Sequence, residues 1–106
     1  MKLDKTQKQL RKTMLADLRA VNGKLFTNSF SGLTVAVRPA CNVPNPKFFH
    51  VSTAQCDFVD DGFKRKQGEY LALLRLIWEG SYCIVPANYR SIEEIGYDAM
   101  EFFEMS

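Results

Sequence analysis

The chain has little of what small active sites are usually built from: one histidine, one tryptophan and three cysteines in 106 residues. Cys41, Cys56 and Cys83 are odd in number and form no Cys-x-x-Cys pair, which argues against a disulfide framework. His50 is the single nitrogen ligand, so no metal site is expected either. All three cysteines read as small buried hydrophobes. No run approaches the roughly 20 apolar residues of a membrane span. The opening Met1-Lys2-Leu3-Asp4-Lys5 has no apolar signal region, and a cytoplasmic location is the expectation. There is no glycine-rich phosphate loop, and no cofactor is expected.

What is present is the composition of a folded domain, 46% hydrophobic and 25% charged. A chain this long forms one domain and buries roughly two-thirds of its unfolded surface unaided. The net charge is only +2 but unevenly spread. Up to Lys24 the chain carries Lys2, Lys5, Lys8, Arg11, Lys12, Arg19 and Lys24 against Asp4 and Asp17. After Ser91 it carries Glu93, Glu94, Asp98, Glu101 and Glu104 with no Lys or Arg. One end is basic and the other acidic.

Local patterns predict the order α-β-β-β-α-β-α, an α+β fold with a small, mainly antiparallel sheet. Asp4 and Gln7 form a variant capping box opening a first helix, with Leu10, Met14, Leu18 and Val21 as its narrow apolar stripe. Asn22-Gly23 ends it with a left-handed residue. Lys24 to Thr27 and Leu33 to Arg38 read as two strands, the second alternating Leu33, Val35 and Val37 with Thr34, Ala36 and Arg38. Pro44 and Pro46 make the stretch up to Lys47 a loop. Phe48 to Cys56 is a strand with Phe49, Val51 and Thr53 on one face. A buried central helix is expected over about 63–79, closed by Gly80. Tyr82 to Val85 is a fourth strand, stopped by Pro86. Ser91-Ile92-Glu93-Glu94 is a capping box for a last helix whose inward face is Ile92, Ile95, Ala99, Phe102 and Phe103. Gly68 and Gly96 lie inside helices, where glycine costs about 1 kcal/mol against alanine, and mark close packing.

Three sets of residues invite a functional reading. Lys64, Arg65 and Lys66 follow Asp60-Asp61-Gly62 at the start of the central helix, where cations oppose the helix dipole unless an anion compensates. Asp61, Gly62, Lys64, Arg65 and Lys66 are therefore the candidate site for an anionic small ligand such as a nucleotide. The competing reading is that Asp60 and Asp61 already neutralise the turn. Second, Lys8, Arg11, Lys12 and Arg19 on the first helix, with Glu101, Phe102 and Phe103 at the acidic end, are candidate contacts for a protein partner. Third, His50 shares its strand face with Cys56, but six residues of strand hold them about 20 Å apart, so no catalytic dyad forms there. Glu93, Glu94, Asp98 and Glu101 read as a solvated helix face.

The basic first helix lacks interleaved aromatics, so nucleic acid ranks below a protein partner. The run Val51 to Leu76, with Cys56, Asp57, Phe63, Lys66, Gly68, Arg75 and Leu76 in place, resembles small uncharacterised bacteriophage accessory proteins. The likeness covers about a quarter of the chain, and it implies an accessory role such as host takeover or counter-defence. The expectation is a non-enzymatic protein that binds a host protein or itself. Sequestration of an anionic small molecule is the alternative, and weak nucleic-acid binding the third reading.

Overall fold

The structure, a computed structural model, describes residues 3–28, 30–55 and 65–104. The first helix, α1, runs Lys5–Ala20 and starts where the sequence places it. Asp4 Oδ1 accepts from the Gln7 amide at 2.8 Å, and Gln7 Oε1 accepts from the Asp4 amide at 3.0 Å. Asn22, at φ 63°, is the left-handed residue that ends it. Strands β1 (Lys24–Asn28), β2 (Leu33–Pro39), β3 (Phe48–Gln55) and β4 (Cys83–Pro86) form one sheet in the order β1-β2-β3-β4, antiparallel throughout. Helix α2 (Arg65–Leu73) connects β3 to β4, and α3 (Ile92–Glu104) closes the described chain. The order is α-β-β-β-α-β-α, an α+β fold.

Strand alternation sends two sets of side chains to opposite faces. Leu33, Val35, Val37, Phe49 and Val51 meet Ile95 and Met100 of α3. Ala36 and Ala54 meet Met14 and Leu18 of α1 and Tyr70, Leu73 and Leu76 on the far side. The sheet is thus the middle layer, with α1 and α2 on one face and α3 on the other. Small residues on the α2 side let that helix lie close. Ser52, buried, donates its hydroxyl to the Ala72 carbonyl at 2.7 Å.

The central helix is not regular to its end. After Leu73 it widens into a π-helical turn over Leu74–Trp78. This corrects the expectation of one α-helix to Glu79, and tertiary hydrogen bonds hold the widened turn. The β3 carbonyl of Thr53 lies beyond the last β4 pairing at Val51, and Arg75 Nη1 supplies its donor at 2.6 Å. Together with the Ser52–Ala72 bond this ties the widened turn to the sheet. Gly80, at φ 66°, closes the element.

The outer edge of the sheet, β4, is short and ends at a proline. The Ala40 amide donates to the Phe48 carbonyl, and the Ala87 amide donates to the Lys47 carbonyl. With strict alternation, Phe49 and Val51 then face β4, and β4 turns the backbones of Ile84 and Pro86 outward. Pro86 has no N–H, and its carbonyl accepts from Arg90 Nη2 at 2.8 Å.

Three further expectations change. Cys41 and Cys83 are exposed, not buried, because one sits in the proline loop and the other on the edge strand. Cys56 lies outside the described residues. Phe102 is 68% exposed, and Met100 takes its place in the core. Gly96 does mark close packing, but against a ring: a Cβ there would come within 2.2 Å of Phe26 Cε2.

Candidate protein-binding surfaces

Helix α1 turns one side to solvent. Lys8, Lys12 and Arg19 are exposed on it, and among the described residues none of the three forms an ion pair. Arg11 does not belong to this surface, a correction to the sequence reading. Its guanidinium points inward, where Nη1 meets Glu69 Oε1 of α2 at 3.2 Å, with side-chain exposures of only 13% and 12%. Arg65 Nε approaches the other oxygen of Glu69 at 3.7 Å. Apolar packing of α1 on α2 puts positions 11 and 69 together, and the pair lets both charges be buried.

Helix α3 lies on the opposite side of the sheet and is acidic outward. Its start follows the capping box: the Glu94 amide donates to Ser91 Oγ at 3.2 Å, and Glu94 Oε1 accepts from the Ser91 amide at 3.2 Å. Two carboxylates are neutralised locally. Glu93 pairs with Lys24, whose hydrogen bond is the main cause holding its pKa below the usual glutamate value. Asp98 accepts from Arg90 Nη1 at 2.7 Å. Glu94, Glu101 and Glu104 have no cationic partner among the described residues, and Glu104 bonds only the neutral Asn28 and Ser31. Between this helix and β1 lies a cleft of about 440 Å³, lined by Phe30, Tyr97, Met100, Glu101 and Glu104 among others. Phe30 is 95% exposed, and Tyr97 stands edge-on to Phe26 with ring centroids 5.3 Å apart. Of the expected partner contacts at this end, Glu101 and Phe102 are exposed. Phe103 is half-buried against the core, so it supports the helix rather than its outer surface.

The expected ligand site at the start of α2 falls partly outside view. Asp61, Gly62 and Lys64 lie outside the described residues. Arg65 and Lys66 are exposed, and Arg65 reaches back towards Glu69.

Two features escaped the sequence reading. A cavity of about 1140 Å³ lies between the proline loop and the β4–α3 connection, with Phe48, Pro46 and Tyr89 among its walls. Asn88 and Tyr89 there have φ of 49° and 64°, and Tyr89 is fully exposed. Asparagine tolerates that conformation; tyrosine does so at a cost. Pro86 and the short loop before Ser91 were the visible signal. The second feature is a stack on the α2 side of the sheet. His50 lies on Tyr82 with centroids 4.1 Å apart, Arg38 Nε donates to His50 Nδ1 at 3.2 Å, and the guanidinium carbon lies 5.5 Å from the Tyr82 ring centre.

That bond needs a neutral imidazole. Burial first, and then the Arg38 charge, hold the pKa of His50 below its ordinary value of 6.5. The unfolded chain therefore binds the proton more readily. This contribution to stability is present above pH of about 6.5 and is lost as pH falls through the lower folded value. The unfolding midpoint should drop between neutral pH and the onset of carboxylate titration, and His50→Phe should flatten that slope while keeping the stack. An equal slope in both proteins, read by denaturant titration at several pH values, would refute it.

Among the described residues, no group of three or more His, Cys, Asp or Glu side chains is placed to hold a metal ion. No described helix is long and apolar enough to cross a membrane. Comparison with protein families, curated proteins and solved structures finds no match to this chain.

Proposed function

We propose that this is a non-enzymatic binding protein that engages a protein partner through charged helical faces. The role would be of the accessory kind, such as host takeover or counter-defence. One observation carries the reading: the cations of α1 and the free carboxylates of α3 lie on opposite sides of the sheet and do not neutralise each other. A charged face left without partners favours fast, orientation-specific encounter with a complementary surface. The exposed aromatics Phe30, Tyr97 and Phe102 add apolar contact beside the acidic face.

The test is crosslinking in cells followed by mass spectrometry, comparing wild type with the double reversal Lys8→Glu, Lys12→Glu. A specific protein captured by wild type should be lost with the variant, at unchanged melting temperature. Identical captured proteins in both would remove the reading.

A further inference from the structure

We infer that the acidic face of α3 takes the basic face of α1 from a second copy of this chain, and that the contact repeats head to tail. This rests on the reading of those two faces as binding surfaces and names the occupant of one of them.

The argument is spacing as well as sign. On α1, Lys8, Lys12 and Arg19 recur at helical intervals and fall on one stripe, with the exposed Ala16 between them. On α3, Glu94, Tyr97, Glu101 and Glu104 form a stripe in the same way. Lys8 to Arg19 spans about 16 Å of helix axis, and Glu94 to Glu104 about 15 Å. Laid antiparallel, the two stripes bring Lys8 to Glu104, Lys12 to Glu101 and Arg19 to Glu94. The same alignment sets Tyr97 over Ala16, where α1 offers room for a ring. A parallel alignment leaves Lys12 opposite Asp98, which Arg90 already neutralises.

The position of the faces fixes the symmetry. They lie on opposite sides of the sheet, so a second copy seated on α3 cannot return its own α3 to the α1 of the first. A two-fold dimer is excluded for this contact, and a heterologous contact that does not close grows open-ended. Exposed ion pairs of this kind are weak and screened, so assembly depends on concentration and salt.

Sedimentation velocity on the full chain tests it. In low salt the weight-average mass should rise at least about twofold with increasing concentration; in about 1 M salt, where charges are screened beyond about 3 Å, it should return to that of one chain. Lys8→Glu with Lys12→Glu should stay a single chain in low salt, as should Glu101→Lys with Glu104→Lys. Mixing the two variants, each with one face reversed, should restore association, since each then carries what the other lacks. Melting curves check that all variants fold; the substituted side chains are exposed. A single chain at every concentration and salt would overturn the inference, as would association that the reversals leave unchanged. Its failure alone leaves the capture experiment standing, because that reads a foreign partner. If wild type stays a single chain yet captures a protein in a Lys8- and Lys12-dependent way, only the second-copy occupant is wrong.

Discussion

Replacing Glu69 with leucine should cost about 3–5 kcal/mol of folding stability, the range for stranding one member of a buried ion pair. Among the described residues Glu69 is the one carboxylate that meets Arg11, and both side chains are nearly enclosed between α1 and α2. Among the described residues no other hydrogen bond reaches the Arg11 guanidinium, and its Nε is buried without a partner. Removing the carboxylate would leave a full charge in that setting. The sharper expectation is the double variant Arg11→Met, Glu69→Leu. With both charges gone and side-chain volume roughly kept, stability should return most of the way to wild type. Urea denaturation of the four proteins in the cycle gives the coupling. If Glu69→Leu costs under about 1 kcal/mol, the pair behaves as an exposed one and the account is wrong.

Substituting Gly96 with valine should cost about 3 kcal/mol, near the top of the usual range for overpacking. Two effects oppose each other. Glycine inside a helix is unfavourable by about 1 kcal/mol against alanine, so any side chain regains part of that. Against it, three atoms of the Phe26 ring lie within 2.5 Å of where a Cβ would sit. The ring cannot swing away freely, since Tyr97 stands edge-on to it on the same helix. Sterics win. Shrinking the ring with Phe26→Leu in the Gly96→Val background should recover part of the loss. A Gly96→Val protein that melts at or above wild type would show that the helix shifts instead.

Much of the fold was legible in the chain because its signals are local. The two capping boxes, Asp4 with Gln7 and Ser91 with Glu94, specify their helix starts within four residues. Alternation in Leu33 to Arg38 assigns the faces of β2 without reference to anything distant. What escaped depends on contacts far along the chain. Arg11 looks like its neighbours Lys8 and Lys12 until a glutamate 58 residues away draws it inward. The π-helical turn is flanked by hydrogen bonds from Ser52 and to the Thr53 carbonyl, partners that lie about 20 residues away in sequence. Cys83 carries no local mark of exposure, since its strand happens to lie at the rim, whereas Cys41 falls in the proline loop that the sequence does show. The candidate surface was half legible for the same reason. Charge sign along α1 and α3 can be read off directly, whereas their separation by the sheet follows only from how the layers stack.

The short rim of β4 has a consequence for how crowded molecules behave. Sheet edges are where stray strands add on and misassembly begins, and here the β4 edge ends at a proline whose oxygen is already occupied by Arg90. Ile84 still turns its N–H and C=O outward there, so the proline shortens the run of hydrogen bonds open to a stray strand without removing it. The proposed head-to-tail contact would run along the sheet normal instead, through charges that salt can dissolve.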